Sequence, residues 1–209
     1  MAIGPAVRRL LGRHERGVAN LYRSIFIDIG RLAALIAGWI PQAGNILEVG
    51  CGEGAVTEQL VSLYPRAQIM AIDVTPRAGR LFRGNKNKVH FAEMTVQEVA
   101  AAKPGQFDLV ILSDVLHHVP MAMREEVLVS VRSTLVSGGR LFFKDWERRP
   151  TPIHWLGYAS DRWITGDRIH YLRKQEAADL IAKIFGPGSI IAEARVRPWS
   201  NNFAFLVQQ

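Results

Sequence analysis

The stretch Ile46-Leu47-Glu48-Val49-Gly50-Cys51-Gly52-Glu53-Gly54 constrains the fold more than any other part of this chain. A short apolar run breaks into glycines at alternate positions, and Val56, Leu60 and Leu63 then recur at helical spacing. A strand that turns through glycines into a helix start makes a nucleotide cradle. Backbone without Cβ atoms lets a ligand approach closely, and the helix N-terminus offers free N–H groups to an anionic end. The next apolar run, Gln68 to Ile72, ends in Asp73. A carboxylate there accepts hydrogen bonds from both ribose hydroxyls of an adenosine. The glycines alone leave two cofactor classes open, because Gly50-x-Gly52-x-x-Ala55 also satisfies the loose dinucleotide fingerprint.

From residue 45 onward, apolar runs alternate with helix-periodic segments. Strands are predicted at 45–50, 68–73, 88–93, 107–113 and 139–145, and helices at 54–64, 76–83, 120–136 and 173–185. Pro120 suits the first turn of its helix and Gly138-Gly139 the end. Near-continuous apolar runs such as Leu109-Val110-Ile111-Leu112 and Leu141-Phe142-Phe143 belong to strands buried on both faces, so the sheet is mostly parallel with helices on each side. Ile190 to Val196 and Phe203 to Val207 are separated only by the turn Trp199-Ser200-Asn201-Asn202, which predicts an antiparallel hairpin. The fold class is therefore α/β: a Rossmann-like three-layer αβα sandwich whose seven-stranded, mostly parallel sheet ends in that hairpin.

With 209 residues the chain has room for one sizeable core and not for two ordinary domains. Residues 1–40 are read as an N-terminal helical lid or cap, and 41–209 as a single nucleotide-binding domain with a substrate-side insertion at about 146–170. Arg8, Arg9, Arg13 and Arg16 make the first residues basic. Val18, Leu21, Tyr22, Ile25, Ile29, Leu32, Ala33, Ile36 and Ile40 then trace one helical face, broken near Gly30 and stopped by Pro41. Its second half is expected to pack on the sheet and its first half to cover the substrate.

Net charge of +7 favours anionic partners: nucleic acid, acidic lipid headgroups or an acidic carrier protein. The apolar stretch from Ile25 to Ile40 contains Asp28 and Arg31 and is too short to span a bilayer. No signal peptide is evident, and Cys51 is the only cysteine, so no internal disulfide is available; a reducing, cytoplasmic setting is expected. Within the glycine turn a small side chain suffices, which accounts for Cys51 without a nucleophilic role.

Glu48, two residues before the first glycine, separates the two cofactor classes. The pattern Glu-x-Gly-x-Gly-x-Gly closely resembles the first motif of the class I S-adenosylmethionine (SAM)-dependent methyltransferases. Phe107-Asp108-Leu109-Val110 resembles their fourth strand, Ser113 to Pro120 the segment after it, and Leu135 to Leu141 the turn into the fifth strand. The subgroup it is most similar to methylates quinones, lipids and other small molecules. The resemblance implies SAM as cofactor and S-adenosylhomocysteine as by-product. It implies Glu48, Gly50, Cys51, Gly52 and Gly54 around the methionine part, Asp73 on the ribose and Val74 against adenine. Met94, Thr95 and Val96 follow at the adenine, with Thr95 where the family usually has an Asp; Ser113 lies at the carboxyl end of the fourth strand, where open α/β sheets bind ligands.

Methyl transfer to an oxygen or carbon needs alignment of the acceptor and removal of a proton. His117 or His118, directly after the fourth strand, has the ordinary pKa for that work. The expected substrate wall is Tyr22, Trp146, His154, Tyr158, Asp161 and His170, with Asp161, Asp167 and His170 as further bases. The histidines show no metal-ligand spacing. The function expected is methyl transfer to a small-molecule or lipid-like acceptor, with peripheral contact to an anionic membrane or carrier protein, by a monomer or homodimer. An RNA methyltransferase is the alternative that the charge raises; Ser113-Asp114-Val115-Leu116 lacks the Asn-Pro-Pro-Tyr-like tetrad that amino groups on bases call for, so nucleic acid is not the expected partner. A non-catalytic SAM-binding scaffold is a further alternative. An NAD-dependent oxidoreductase is disfavoured by Glu48 and the terminal hairpin.

Overall fold

A computed structural model describes residues 15–160 and 169–209. Two helices come first, α1 (Glu15–Phe26) and α2 (Ile29–Trp39). The break between them falls at Ile27-Asp28, not at Gly30, which lies inside α2. Asp28 causes it: its extended backbone cannot continue a helix, and its Oδ1 accepts the Arg31 N–H at 3.0 Å, capping α2. Leu32, Ala33 and Ile36 of α2 are buried, and the Tyr64 hydroxyl ties the helix end down by donating to the Ile40 carbonyl at 2.6 Å.

The sheet comprises β1 (Asn45–Val49), β2 (Gln68–Asp73), β3 (Val89–Glu93), β4 (Phe107–Ser113), β5 (Leu135–Trp146), β6 (Ile190–Arg195) and β7 (Asn202–Gln208) in the order β3-β2-β1-β4-β5-β7-β6. The first five are parallel; β7 runs antiparallel to both β5 and β6. The predicted sheet and hairpin are thus present. Between the strands lie α3 (Ala55–Leu63), α4 (Val96–Ala102), α5 (Arg124–Thr134), α6 (Pro152–Ser160) and α7 (Lys174–Phe185). Side chains alternate between two cores. Leu47, Val110, Leu141, Phe143 and Phe205 face one helical layer. Ile46, Leu109, Ile111, Phe142 and Leu206 face the other. Both strand faces are buried, which is why the sequence runs are continuously apolar. Among the described residues no helix is long and apolar enough to cross a membrane.

Three expectations fail locally. The helix predicted at 76–83 does not form; residues 74–84 make bends and turns. Arg77 and Gly79 have positive φ (67° and 68°), and the segment spends N–H groups on the glycine turn, Gly79 N–H donating to the Gly52 carbonyl at 2.8 Å and Leu81 N–H to that of Glu53 at 3.2 Å. The helix predicted at 120–136 is shorter, because Pro120 leads into a 3-10 turn (Met121–Met123) before α5 starts. Gly138 and Gly139 are not its end: they lie inside β5, where the register against β4 shifts between Phe107 and Leu109. The reading also lacks α4, which starts at a capping box: Thr95 Oγ1 accepts the Glu98 N–H at 3.2 Å while Glu98 Oε2 accepts the Thr95 N–H at 2.7 Å.

Candidate active site at the carboxyl ends of the central strands

β1 pairs with β2 on one side and β4 on the other, so the direction in which strands are added reverses between β1 and β4. In an open α/β sheet, ligands bind outside the carboxyl ends at that point. The glycine turn sits there. Gly50 and Cys51 N–H both donate to the Ile72 carbonyl, at 2.8 and 3.0 Å, folding the turn over β2. Gly50 has φ 75°, and a Cβ there would overlap the Val115 Cγ2 methyl. The expectation that a Cβ would block the ligand is therefore relocated: Gly50 makes room for the loop after β4. Gly52 is the open glycine, with φ 51° and nothing within 4 Å of where a Cβ would lie. Gly54, φ 91°, precedes α3 and leaves its first turn without a side-chain cap.

Asp73 ends β2 at the rim. Its Oδ2 accepts the Gly52 N–H at 2.8 Å; its Oδ1 accepts the Thr75 N–H at 2.9 Å and hydroxyl at 2.6 Å. Val74 beside it is 69% exposed, an apolar side chain held out at the mouth. Glu48 lies beneath the turn, buried, its Oε2 accepting the Thr57 hydroxyl at 2.6 Å. Burial, reinforced by the neighbouring Asp73 charge and opposed by the Thr57 hydrogen bond, pushes Glu48 up to about 7. Burial and the same two carboxylates push the Cys51 thiol up too, so it stays protonated and is no nucleophile. The Thr95 hydroxyl is engaged in the capping box, donating to Glu98 Oε2 at 2.8 Å and accepting the Glu98 N–H at 3.2 Å, which leaves one acceptor lone pair. Met94 is half-buried, and Val96 is buried in the core.

Beyond the glycine turn, the loop after β4 brings charge together. Ser113 Oγ lies 3.3 Å from Asp114 Oδ2. Asp114 adopts φ 58°, a left-handed conformation that Asp tolerates better than most residues. The ammonium of Lys144, on the neighbouring strand and 1% exposed, holds it by donating to both carboxylate oxygens at 2.6 and 2.7 Å. The two sequence candidates then separate. His117 is buried and its Nδ1 makes a short hydrogen bond to Asp145 Oδ1; His118 is exposed, its ring 4.2 Å from that of His117. Asp145 Oδ1 also accepts the Trp146 N–H at 2.7 Å. Burial alone would push Asp145 up. The charge and hydrogen bond of His117, the Trp146 N–H and Lys144 outweigh it and hold the carboxyl below the usual range.

Of the expected substrate wall, the structure brings Trp146 and His154 together: the buried indole Nε1–H donates to His154 Nδ1 at 3.2 Å. Burial and the Arg148 charge push His154 down, which suits a neutral ring accepting at Nδ1. Tyr171 lies between the histidines, 5.0 Å from the rings of both His117 and His154. Phe26 of α1 packs edge-on against Trp146 at 6.0 Å. His170 is exposed, but its N–H donates to the His117 carbonyl at 3.0 Å and fastens the far end of the insertion to the β4 loop. The side chains of Tyr22 and Tyr158, and Asp161 and Asp167 entirely, lie outside the described residues. Sequence reasoning missed Lys144 and Asp145. The available signal was two adjacent charges closing the apolar run Leu141-Phe142-Phe143, where a buried strand must pair them.

A methyltransferase-domain family profile matches residues 47–141. The chain is 32% identical over 181 residues to the ubiquinone biosynthesis O-methyltransferase of Xanthomonas axonopodis pv. citri, covering 82% of this chain and 74% of that protein. It is 33% identical over 128 residues to the enzyme of that name from Xanthomonas campestris pv. campestris, and there it spans about half of the relative's length. Among solved structures, N-methyltransferase NodS of Bradyrhizobium japonicum with S-adenosylhomocysteine is similar at TM-score 0.61 and 18% identity, over 87% of this chain and 85% of that one. The 1,6-didemethyltoxoflavin N1-methyltransferase of Burkholderia thailandensis is similar at TM-score 0.66 and 16% identity, over 100% of this chain and 91% of that one. Taken with the glycine turn, the acidic end of β2 and the β5-β7-β6 sheet edge, these likenesses show that the chain belongs to the class I SAM-dependent methyltransferases.

Proposed function

We propose that the chain transfers a methyl group from SAM to a hydroxyl of a small-molecule or lipid-like acceptor, leaving S-adenosylhomocysteine. One observation carries this reading. The open Gly52–Asp73 rim and the buried His117–Asp145 pair lie on adjoining strand ends, joined where Val115 packs on Gly50. The residues present fit the cofactor. Gly52 leaves backbone bare at the turn, and Glu48 places a titratable acid beneath it, complementary to a cationic ligand. Asp73 has roughly four acceptor positions. Three are filled, so it takes one ribose hydroxyl directly and a second when Thr75 yields.

When bound, SAM supplies an electrophilic methyl on a positively charged sulfur. Gly50, Cys51, Gly52 and Gly54 offer backbone to its methionine part, Val74 and Met94 enclose the adenine, and the remaining lone pair of the Thr95 hydroxyl and the Val96 N–H meet its edge. Ser113 closes the floor. His117 receives the acceptor's proton, because a hydroxyl, unlike an amine, is a poor nucleophile until it loses one. The O-methyltransferase names of the relatives support a hydroxyl acceptor. Trp146, His154, Tyr158, Asp161, His170 and Tyr22 form the acceptor wall. α1 acts as a lid over it: its end is held to the strand-end face by the Phe26 carbonyl accepting Asn202 Nδ2–H at 2.8 Å, while α2 stays packed on the sheet. The basic charge of the N-terminal residues favours an anionic surface in the cytoplasm.

Calorimetry tests the reading. SAM and S-adenosylhomocysteine should bind and NAD should not. Asp73→Ala should weaken SAM by about 1–3 kcal/mol, the scale of a lost acceptor for a buried hydroxyl. NAD binding without SAM binding overturns it. A methyl-transfer screen over metabolite and lipid extracts should then return a hydroxylated acceptor.

A further inference from the structure

The amino ends of the strands, opposite the glycine turn, carry a cavity of about 700 Å³. Asn45 and Gln68 open β1 and β2 side by side there, and Met70 and His90 are register partners on β2 and β3. The cavity follows from element lengths. α4 has seven residues and rises about 10 Å, while the five residues of β3 before it run about 17 Å. The helix therefore ends before it has covered the lower part of the sheet. The chain then passes through Lys103 to Gln106 into β4. It is tied to the end of α5 by the Gly105 and Gln106 N–H groups, which donate to the Ser133 and Thr134 carbonyls, each at 2.9 Å.

Its lining divides into a floor and a rim. Met70 and Phe107, both buried, make an apolar floor. The rim carries four exposed carboxamides, Asn45, Gln68, Asn87 and Gln106, each with a donating and an accepting end. Among the described residues none of these four side chains is engaged by another group, so their hydrogen bonds are open to a ligand. His90 and Lys103, also exposed, complete the rim. No carboxylate lines the cavity: the segments that build it, 41–47, 64–70, 85–90 and 99–107, contain no Asp or Glu. Asp108, next to Phe107, is spent on the chain itself, its two oxygens accepting the Gly44 and Asn45 N–H groups at 2.8 and 3.1 Å. Lys86 and Lys88 flank Asn87 in its 3-10 turn, and among the described residues neither they nor Lys103 has a carboxylate partner.

We propose that this cavity binds a nucleoside monophosphate, at a site separate from the cofactor's. An apolar floor with a few convergent polar groups is how small-molecule sites are built, and the volume suits a molecule of that size. Lys103 takes the phosphate, and Lys86 and Lys88 add positive potential that no lining carboxylate cancels. The carboxamides meet the donors and acceptors of base and sugar, and Met70 and Phe107 receive the apolar face of the base. Gln68 and Asp73 stand at opposite ends of β2, about 17 Å apart along the strand. Both sites can therefore be filled at once.

Amide NMR of the full chain tests this, with S-adenosylhomocysteine saturating so that no nucleotide enters the cofactor site. Adenosine, guanosine, cytidine and uridine monophosphates are each added to about 1 mM, where weak sites fill. At least one should shift the signals of Asn87, His90, Lys103 and Gln106 and leave those of Gly52 and Asp73 in place. Lys103→Glu, an exposed change, should weaken it about tenfold or more, the scale of a lost hydrogen bond to a charged group. The matching nucleoside and inorganic phosphate should each bind about tenfold more weakly than the nucleotide, because each offers only one half of the recognition. No shift from any of the four, shifts confined to the cofactor end, or equal binding by wild type and Lys103→Glu overturns the proposal. Inorganic phosphate binding as well as the nucleotide overturns it too, since the carboxamides and the floor then recognise nothing. Should Lys103→Glu fail to fold, the map of shifted signals in the wild type still decides.

Discussion

Removing the charge beneath the glycine turn should change how the apoprotein responds to pH. Glu48 is buried and titrates at about 7 instead of the ordinary 4.5. Its folded pKa lies above its unfolded one, so the stability it contributes is present below about 4.5 and is lost as pH rises through about 7. A rise from 4.5 to about 7, at about 1.4 kcal/mol per tenfold change, makes this loss about 3 kcal/mol by pH 8.5. Glu48→Gln keeps an oxygen to accept the Thr57 hydroxyl and never ionises. Urea unfolding from pH 5 to pH 8.5 isolates the effect, because groups away from the glycine turn titrate alike in both proteins. Wild type should lose about 2.5 kcal/mol more than Glu48→Gln across that range, since part of the loss is already complete at pH 5, and the variant should be the more stable of the two at alkaline pH. Parallel pH profiles would refute the reasoning. Bound SAM, being cationic, should narrow the gap by favouring the ionised carboxylate; the neutral sulfide of S-adenosylhomocysteine should narrow it less.

Gly50→Ala should lower the melting temperature of the apoprotein, through strain at positive φ and overlap with Val115, and Val115→Ala should restore part of the loss. If the single variant melts like wild type, Gly50 does not make room for the β4 loop. Thr95→Ala should cost about 1 kcal/mol in chemical unfolding through loss of the α4 cap, and should weaken S-adenosylhomocysteine through loss of the hydroxyl's remaining lone pair. An affinity loss without a stability loss would refute the cap.

What the sequence made legible was whatever repeats with a period. Runs buried on both faces revealed the parallel strands, and the helix-free spacing before Phe203 revealed the hairpin. Two kinds of feature were not periodic and escaped. Residues 76–83 read as a helix because their apolar spacing fits one, yet N–H groups there serve the glycine turn, a tertiary demand that local pattern does not carry. The site behind His117 escaped because Asp114 and Lys144 meet across neighbouring strands, and Asp145 reaches a histidine 28 positions earlier. Thr95 shows a third case. The Thr-x-x-Glu signature of a helix start was readable, but the family's usual adenine contact drew attention away from the cap that Thr95 also makes.

The place of β7 between β5 and β6 has a consequence for biosynthesis. β5 spans Leu135–Trp146, but the neighbour that covers its free edge, Asn202–Gln208, leaves the ribosome more than fifty residues later. Until then Leu141, Phe142 and Phe143 stand on an open strand edge, and an open apolar edge recruits other chains. β6 does not cover it: among the described residues it pairs with β7 and not with β5. Completion of the sheet is therefore a late, single event that closes both seams at once. Chains halted before residue 202 should be chaperone clients or aggregates, whatever the state of the cofactor half that was already translated.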